Sequence, residues 1–361
     1  MIAAEGTASA VLRCALVTTG GTIAGQSHGD ATQYAYTSAQ LGAEQLLMGV
    51  PALLRRASWE VHTPYSIGSQ NLELGHMLRL RAVLCQCLEN PEVDAVLVTH
   101  GTDTLEDMLY FLYLTLPPRL MNKPVVFTAA MLPSDHPQAD GPSNLLQAFE
   151  LIETAVQTKL NKASCAMPFG LVMQGLYTPA HAVEKLSTAS LDAFDGPHSV
   201  EIRQWPAHVQ TTVGSLEVEA GAHLPQGFFH GLIEAHATEH PLFESLEVAL
   251  VFCQPGNAAL RQLKDLVVRK PAAVIVAAPG HGNVPDLLLP VLRKLLSNGV
   301  DLVRASRVPQ GGVLPGGEFF EFEEYRELQA GVGQFSESEF LSLNKMAVLA
   351  RLRALARSLS Q

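Results

Sequence analysis

Two stretches of this sequence place threonine beside glycine directly after an apolar run. The first is TTGGTIAG, at Thr18–Gly25, and the second is HGTDT, at His100–Thr104, which follows the run AVLVT. Glycine lets the backbone turn sharply and approach a ligand closely. A threonine hydroxyl becomes a nucleophile when a neighbouring group takes its proton. The two turns therefore offer Thr22 and Thr102 as candidate reactive groups.

Other interpretations of these turns are open on spacing alone. A dinucleotide fingerprint needs G-x-G-x-x-G and a Walker loop needs G-x-x-x-x-G-K-[ST], but Gly20–Gly25 matches neither pattern and no lysine follows it. The first turn could simply hold a capping threonine. In the second turn, Thr102 or Asp103 would cap a helix well. A cap accounts for only one polar residue and leaves a second hydroxyl beside a carboxylate unexplained.

A lysine could complete a proton-accepting cluster with the second turn. A lysine held near a carboxylate and partly removed from water can be tuned toward base function. Thr102 and Asp103 supply the hydroxyl and the carboxylate, and Lys185 is the candidate because it follows GLVMQGLYTP and precedes small polar residues. On spacing alone, Lys185 could also be an ordinary surface lysine.

Short strands are needed to bring these groups together. Several runs are apolar without alternation, as expected for parallel strands that are covered on both faces. The predicted strands are Arg13–Thr19, Asp94–Thr99, Val125–Ala129, Gly170–Met173, Val248–Cys253, Ala273–Ala278 and Val300–Arg304. Helical patterns lie between them, so we predict an α/β fold with a mostly parallel sheet flanked by helices. Ligands of such sheets bind beyond the carboxyl ends of the strands, where both turns lie.

Helix signals are present along the chain. Thr37–Gln40 and Ser336–Glu339 fit capping boxes, the latter before the C-terminal helix. Asp286–Leu296 repeats leucines at helical spacing and ends near Gly299. These signals predict a helix after each capping box and another over the leucine repeat.

The chain length and the periodicity predict two domains. A length of 361 residues is more than one domain usually has, at about 150 residues per domain. The apolar periodicity weakens between residues 196 and 241. We therefore expect a larger N-terminal domain at 1–213, a connecting segment at 214–243 and a smaller C-terminal α/β domain at 244–361.

The composition excludes several classes of protein. The formal net charge of −11 disfavours a nucleic-acid partner, and no apolar run approaches a membrane span. The five cysteines, at 14, 85, 87, 165 and 253, form no disulfide framework or zinc pair by number and spacing. The N-terminus carries an acidic residue where a signal peptide needs basic ones. We expect a cytoplasmic protein.

Taken together, these stretches resemble the bacterial-type L-asparaginase/glutaminase family. The T-G-G-T-I-A signature is present at Thr19–Ala24 and the H-G-T-D-T signature at His100–Thr104. The resemblance extends over nearly the whole chain, through AYTSAQLGAEQLL, IGSQN, NKPVVFTAAMLPS, ADGPSNLLQA and VRASRVPQGG. It implies an amidohydrolase that converts L-asparagine to L-aspartate and ammonia, without a metal or organic cofactor.

The resemblance also assigns roles to individual residues. Thr22 corresponds to the nucleophile and Tyr36 to the tyrosine of a mobile loop, with Tyr34 as a nearby competitor. We expect this loop, Gly25–Thr37, to close on the substrate. The remaining catalytic residues are Thr102, Asp103 and Lys185. The substrate-binding residues are Gly21, Ser69, Gln70 and Ala130, together with Asp103 for the substrate ammonium.

Two further residues are implied to come from a partner subunit. Glu318 stands seven residues after Gly311 of the SRVPQG stretch, and Asn257 is a weaker candidate. This implies an oligomer built from dimers. A loop glutamate in the acidic run Glu318–Glu324 is the other interpretation. The chain departs from relatives at Leu132, where they often carry arginine, and at Met121, where secreted relatives carry a disulfide cysteine.

Three alternatives to an L-asparaginase are open. A dual asparaginase–glutaminase differs by one methylene of pocket length, which is worth only ~1–3 kcal/mol. An ammonia-supplying subunit of a tRNA-dependent amidotransferase would need a nucleic-acid-binding partner, which the acidic composition disfavours. A ligand sensor on the same fold would release no ammonia.

Overall fold

The structure, a computed structural model, describes two compact units. The described residues are 11–27, 36–160, 167–196, 198–205, 224–236, 245–308, 313 and 341–359. The first unit lies within Met1–Glu217 and Gln226–Gly231, and the second within Val218–Pro225 and Leu232–Gln361. The predicted domain limits stay a prediction, because residues 214–223 and 237–243 of the connecting segment lie outside the described part.

The first unit is an α/β unit. Its strands are β1 (Leu12–Thr18), β2 (Gln26–Ser27), β3 (Tyr36–Thr37), β4 (Ala57–His62), β5 (Ala95–Thr99), β6 (Val125–Thr128), β7 (Phe169–Met173), β8 (Leu176–Pro179), β9 (Glu184–Lys185), β10 (Phe194–Asp195) and β11 (Val200–Glu201). Its helices are α1 (Ala43–Met48), α2 (Pro51–Arg56), α3 (Leu74–Glu89), α4 (Leu105–Thr115) and α5 (Gly141–Leu160). The first two residues of helix α6 (His230–His236) belong to the first unit, and the rest of the helix belongs to the second unit.

The main sheet has the strand order β11-β8-β7-β6-β5-β1-β4. Strands β4, β1, β5, β6 and β7 run parallel to one another, whereas β8 pairs antiparallel with β7 and β11 pairs antiparallel with β8. The chain passes from β1 to β4 on one side and then to β5 on the other. The strand order therefore reverses between β1 and β5, and this switch point is where such sheets bind ligands. Both Thr-Gly turns lie there.

Helices cover the central strands on both faces. One core cluster packs Leu47, Leu53 and Phe149, from α1, α2 and α5, against Leu16 and Leu97 of β1 and β5. Strands β5, β6 and β7 are buried along their whole length. This burial explains why their sequences are apolar without alternation.

The second unit contains a smaller parallel sheet. Its strands β12 (Val248–Phe252), β13 (Ala273–Ala278) and β14 (Asp301–Ser306) lie in that order. Its helices are α7 (Ala258–Arg269), α8 (Leu289–Ser297) and α9 (Leu343–Ser358). Residues of α7 and α8 pack on one face of the sheet, and Met346 of α9 packs with Ile275 and Val303 on the other. The predicted α/β fold, with one larger and one smaller unit, is confirmed.

Of the predicted helix starts, one differs from the structure and another lies outside the described residues. The Thr37–Gln40 capping box is wrong, because α1 begins at Ala43 and the Gly42 amide donates to Gln45 Oε1 at 2.8 Å. The Ser336–Glu339 box lies outside the described residues. Helix α9 begins after Ser342, whose hydroxyl accepts from the Lys345 amide.

The third helix prediction is confirmed. The leucine repeat forms a 3-10 turn at Asp286–Leu288 followed by α8, which ends just before Gly299 at a φ of 80°. Among the described helices, none has both the length and the apolar character that crossing a bilayer requires.

Candidate active site

The two Thr-Gly turns pack directly against each other at the switch point. Gly20 and Gly21 have φ values of 96° and 81°, which favour glycine. A Cβ at Gly21 would lie 2.4 Å from the Cα of Gly101 in the second turn. The Gly21 amide donates to the Ile67 carbonyl at 2.9 Å, in the loop after β4. Three loops therefore meet with no space for a side chain at Gly21.

The first reactive hydroxyl belongs to Thr22. This residue begins a 3-10 turn directly after the glycine pair, and it is 6% exposed. Its Oγ1 lies 2.7 Å from the Tyr36 hydroxyl, which β3 positions by pairing Tyr36 with Ser27 of β2. A tyrosine hydroxyl at hydrogen-bond distance can relay the proton that a threonine must lose to attack a carbonyl, by accepting it as its own phenolic proton leaves. Tyr34 and most of the predicted mobile loop lie outside the described residues.

A second cluster forms around Lys185. Its Nζ donates to Thr102 Oγ1 at 3.0 Å and to Asp103 Oδ1 at 2.7 Å. The lysine side chain is 17% exposed, whereas that of Asp103 is 57% exposed. The Asp103 carboxylate thus contacts the lysine and also faces solvent, where it can meet a cationic group. The structure brings together the three members that the sequence proposed.

Ser69 links the loop after β4 to the second turn. It is buried, and its hydroxyl accepts from the Asp103 amide at 3.0 Å. Its carbonyl accepts from the Thr104 hydroxyl at 2.9 Å. A Cβ on Gly101 would lie 2.6 Å from Ser69 Oγ. Ser69 is therefore held rigidly beside the two reactive turns.

Several of these groups line one pocket of about 250 Å³, although Thr102 and Lys185 are not among its lining residues. Its lining combines glycine backbone with hydroxyl, amide and carboxylate side chains, from Gly21, Thr22, Tyr36, Ser38, Gly68, Ser69, Gln70, Gly101 and Asp103. The size and polarity of the pocket suit a small polar substrate. Within the described ranges, no group of three or more His, Cys, Asp or Glu side chains is placed as metal ligands would be.

Three predicted binding residues lie elsewhere or outside the described part. Ala130 is buried in the core cluster that includes Ile23, and it is not among the residues that line this pocket. Asn257 is an exposed residue of the second unit, at the start of α7, and its carbonyl accepts from the Arg261 amide at 3.0 Å. Glu318 lies outside the described residues.

The structure adds residues that the sequence did not single out. Ser38 lines the pocket two residues after Tyr36. Ser134 donates to the Gly25 carbonyl at 2.6 Å, and the Asp135 carboxylate accepts from the Ser27 amide. These contacts anchor the segment after Thr22 to the loop that follows β6. No local sequence signal predicts them, because the partners are about a hundred residues apart.

His100 is buried next to the second turn and contacts its backbone. Its ring is buried, and its Nδ1 lies 2.8 Å from the Gly101 carbonyl. Burial lowers the pKa of His100 from 6.5 to about 4, although the hydrogen bond to Gly101 opposes the shift. The imidazole is therefore neutral at neutral pH. We interpret it as a packing residue of the turn.

Two threonine hydroxyls, each within hydrogen-bond distance of a tyrosine or lysine side chain, lie at the switch point of an α/β sheet, and the family comparison places the chain among the hydrolases. The asparaginase N-terminal family model matches residues 13–215. L-asparaginase 2 of Escherichia coli K12 is 30% identical over 318 residues, which cover 85% of this chain and 81% of that protein. The chain belongs to the bacterial asparaginase family.

Other relatives carry related names. The glutaminase-asparaginase of Pseudomonas fluorescens biotype A is 28% identical over 306 residues, covering 82% of this chain and 76% of that protein. The crystal structure of a probable cytoplasmic L-asparaginase from Campylobacter jejuni matches with a TM-score of 0.67 at 23% identity. The matched residues cover 96% of this chain and 99% of that protein's chain. This structural likeness concerns the fold.

Proposed function

We propose that this protein is an L-asparaginase, which hydrolyses the side-chain amide of L-asparagine to L-aspartate and ammonia. The observation that carries the proposal is one polar pocket lined by Thr22, whose Oγ1 lies 2.7 Å from the Tyr36 hydroxyl, and by Asp103, whose Oδ1 accepts from Lys185 Nζ at 2.7 Å. The names of relatives in the family support the same substrate.

The first stage transfers the acyl group to the protein. Thr22 Oγ attacks the amide carbon while its proton passes to the Tyr36 oxygen, which gives its own phenolic proton to the leaving amide nitrogen. Backbone N–H groups of the two turns, other than the Gly21 amide that donates to Ile67, stabilise the negative charge on the amide oxygen. The C–N bond then breaks, and ammonia leaves with the transferred proton. The product is an aspartyl ester on Thr22.

The second stage returns the enzyme to its starting state. Water attacks the ester carbon and gives its proton to the Thr102–Lys185–Asp103 cluster. The ester C–O bond breaks, Thr22 recovers its proton and aspartate is released. The Asp103 carboxylate, which faces solvent, binds the substrate ammonium. Ser69 and Gln70 bind the α-carboxylate from the opposite loop.

Release of ammonia from L-asparagine and L-glutamine tests this proposal. We expect kcat/KM to favour asparagine by about tenfold or more, which is within the range that one methylene can provide. A ratio near one would support the dual glutaminase-asparaginase, the alternative that several relatives' names favour. If neither amide released ammonia, the proposal would be overturned.

We also propose that the active form is a homo-oligomer in which Glu318 and, more weakly, Asn257 of a partner complete each site. The support is the position of Glu318 seven residues after Gly311. A tetramer made of two such dimers fits this arrangement. We further propose a cytoplasmic location, supported by the free thiols of Cys14, Cys85, Cys87 and Cys253.

A further inference from the structure

A second carboxylate holds the other end of Lys185. Glu106, the second residue of α4, is 4% exposed, and its Oε2 accepts from the Lys185 backbone amide at 3.0 Å. Thr102 and Asp103, which bind the lysine Nζ, lie four and three residues earlier in the same segment. The segment from Thr102 to Glu106 therefore forms hydrogen bonds with both the backbone amide and the ammonium group of Lys185.

The strand that carries Lys185 is short. β9 has two residues and, within the described part of the chain, pairs with the two residues of β10, Lys185 with Phe194 and Glu184 with Asp195. Isolated two-stranded ribbons are marginally stable, and a lysine side chain has much rotamer freedom to lose. The position of Nζ thus depends on where the backbone of β9 is fixed. A hydrogen bond to a carboxylate is suited to this role because it is stronger than a neutral one.

Glu106 is a buried acidic residue among apolar neighbours on α4. Leu105, Met108 and Leu109 of α4 are buried apolar residues. A carboxylate buried among such residues is costly unless it is hydrogen-bonded. The contact with the Lys185 amide accounts for its presence at this position.

We propose that Glu106 is a positioning residue for Lys185. Its carboxylate fixes the backbone of β9 so that Nζ reaches Thr102 and Asp103 together. Glu106 acts through the lysine and does not touch the substrate. This inference rests on the proposed function, since it assigns Lys185 a part in turnover.

Two substitutions of similar size separate the hydrogen bond from the volume. Glu106→Gln keeps an acceptor oxygen, whereas Glu106→Leu keeps bulk without an acceptor. For Glu106→Leu we expect kcat to fall about 10–100-fold with KM nearly unchanged, because displacing a catalytic group by about 1 Å costs on that order. Glu106→Gln should recover most of this loss. Asp107→Ala, which removes the next acid along α4, is the matched control and should leave kcat within about threefold.

A double-mutant cycle tests whether Glu106 acts through Lys185. In a Lys185→Met background, Glu106→Leu should lower kcat no further, because the group that Glu106 positions is gone. Equal losses in both backgrounds, or wild-type kcat in Glu106→Leu, would overturn the proposal.

A second measurement does not depend on activity. The rate at which Lys185 Nζ reacts with an amine-specific reagent, followed by mass spectrometry, should rise in Glu106→Leu and stay low in Glu106→Gln and Asp107→Ala. Unchanged labelling in Glu106→Leu would overturn the positioning role. If labelling changed as expected but the wild type released no ammonia, the proposed function alone would fail.

Discussion

At the residue scale, the proposed mechanism makes nucleophilic attack depend on the hydrogen bond between Thr22 and Tyr36. The two oxygens lie 2.7 Å apart. Tyr36→Phe removes the proton acceptor and keeps the ring, so we expect kcat to fall by about 10²–10⁴, the usual contribution of a general base. KM for asparagine should change little. Initial rates of ammonia release measure both constants.

Tyr34→Phe is the control for this substitution. It removes an equivalent hydroxyl two residues earlier in the chain, and we expect turnover within about threefold of wild type. A larger loss in Tyr34→Phe than in Tyr36→Phe would reassign the role to Tyr34.

The reactive residues could be predicted to different degrees. Thr22, Thr102 and Asp103 are visible in two short motifs, since each lies directly after a strand. Lys185 is 82 residues from Asp103, and spacing alone left it as a possible surface lysine until the family resemblance assigned it. Glu106 was not identified, because an acid in the first turn of a helix needs no functional explanation.

At the scale of elements, the packing of the glycine turns holds the site together. Gly101 has an ordinary φ of −78°, so its requirement for glycine is purely steric. In Gly101→Ala, the new Cβ would lie 2.6 Å from Ser69 Oγ and 2.7 Å from Ser69 Cβ. We expect kcat/KM to fall about 100-fold, because the loops must move apart.

Thermal unfolding and kinetics of Gly101→Ala measure this effect. Overpacking of this kind costs about 1–3 kcal/mol, so the melting temperature should also fall. Gly231→Ala is the control, because a Cβ there meets no atom within 4 Å. Wild-type kinetics in Gly101→Ala would show that the turns are not in tight contact.

Elements with uniform burial were predicted best. All seven predicted strands are present, with ends that differ by at most two residues. The strands β4, β8 and β11 of the main sheet were not predicted, nor were the two-residue strands β2, β3, β9 and β10. β4 lies at the sheet edge and alternates polar and apolar residues in ASWEVH, and β8 follows a tight turn with positive φ at Gln174 and Gly175. Long unbroken apolar runs do not occur in such half-buried or antiparallel strands.

At the scale of the whole molecule, His100 makes stability depend on pH. The pKa of His100 is about 4 in the folded protein, below the ordinary 6.5. Between these two pH values the unfolded chain binds a proton at His100 and the folded chain does not. Stability that is present above pH 6.5 is therefore lost as the pH falls toward 4. The loss from this group amounts to roughly 3 kcal/mol over that window.

Urea unfolding midpoints at several pH values between 7.5 and 4.5 test this linkage. His100→Asn should flatten the pH dependence relative to wild type, whereas His281→Asn, at an exposed position, should leave it unchanged. If the unfolding midpoint changed with pH equally in His100→Asn and in wild type, His100 would be excluded as a source of the pH dependence.

The proposed shared site predicts complementation between subunits. Thr22→Ala and Glu318→Ala should each be nearly inactive alone. Mixed and reassembled oligomers should regain activity, because some sites combine an intact Thr22 with a partner's intact Glu318. Absence of activity in a verified mixed dimer would place Glu318 outside a shared site.

Detection of the acyl-enzyme tests the central claim most directly. In the proposed mechanism the loss of Lys185 slows the second stage, so Lys185→Met protein quenched after mixing with L-asparagine should accumulate an aspartyl ester. Peptide mass spectrometry should locate that ester on the peptide that carries Thr22, and Thr22→Ala should show none. An aspartyl group on the peptide that carries Thr102 would contradict Thr22 as the nucleophile.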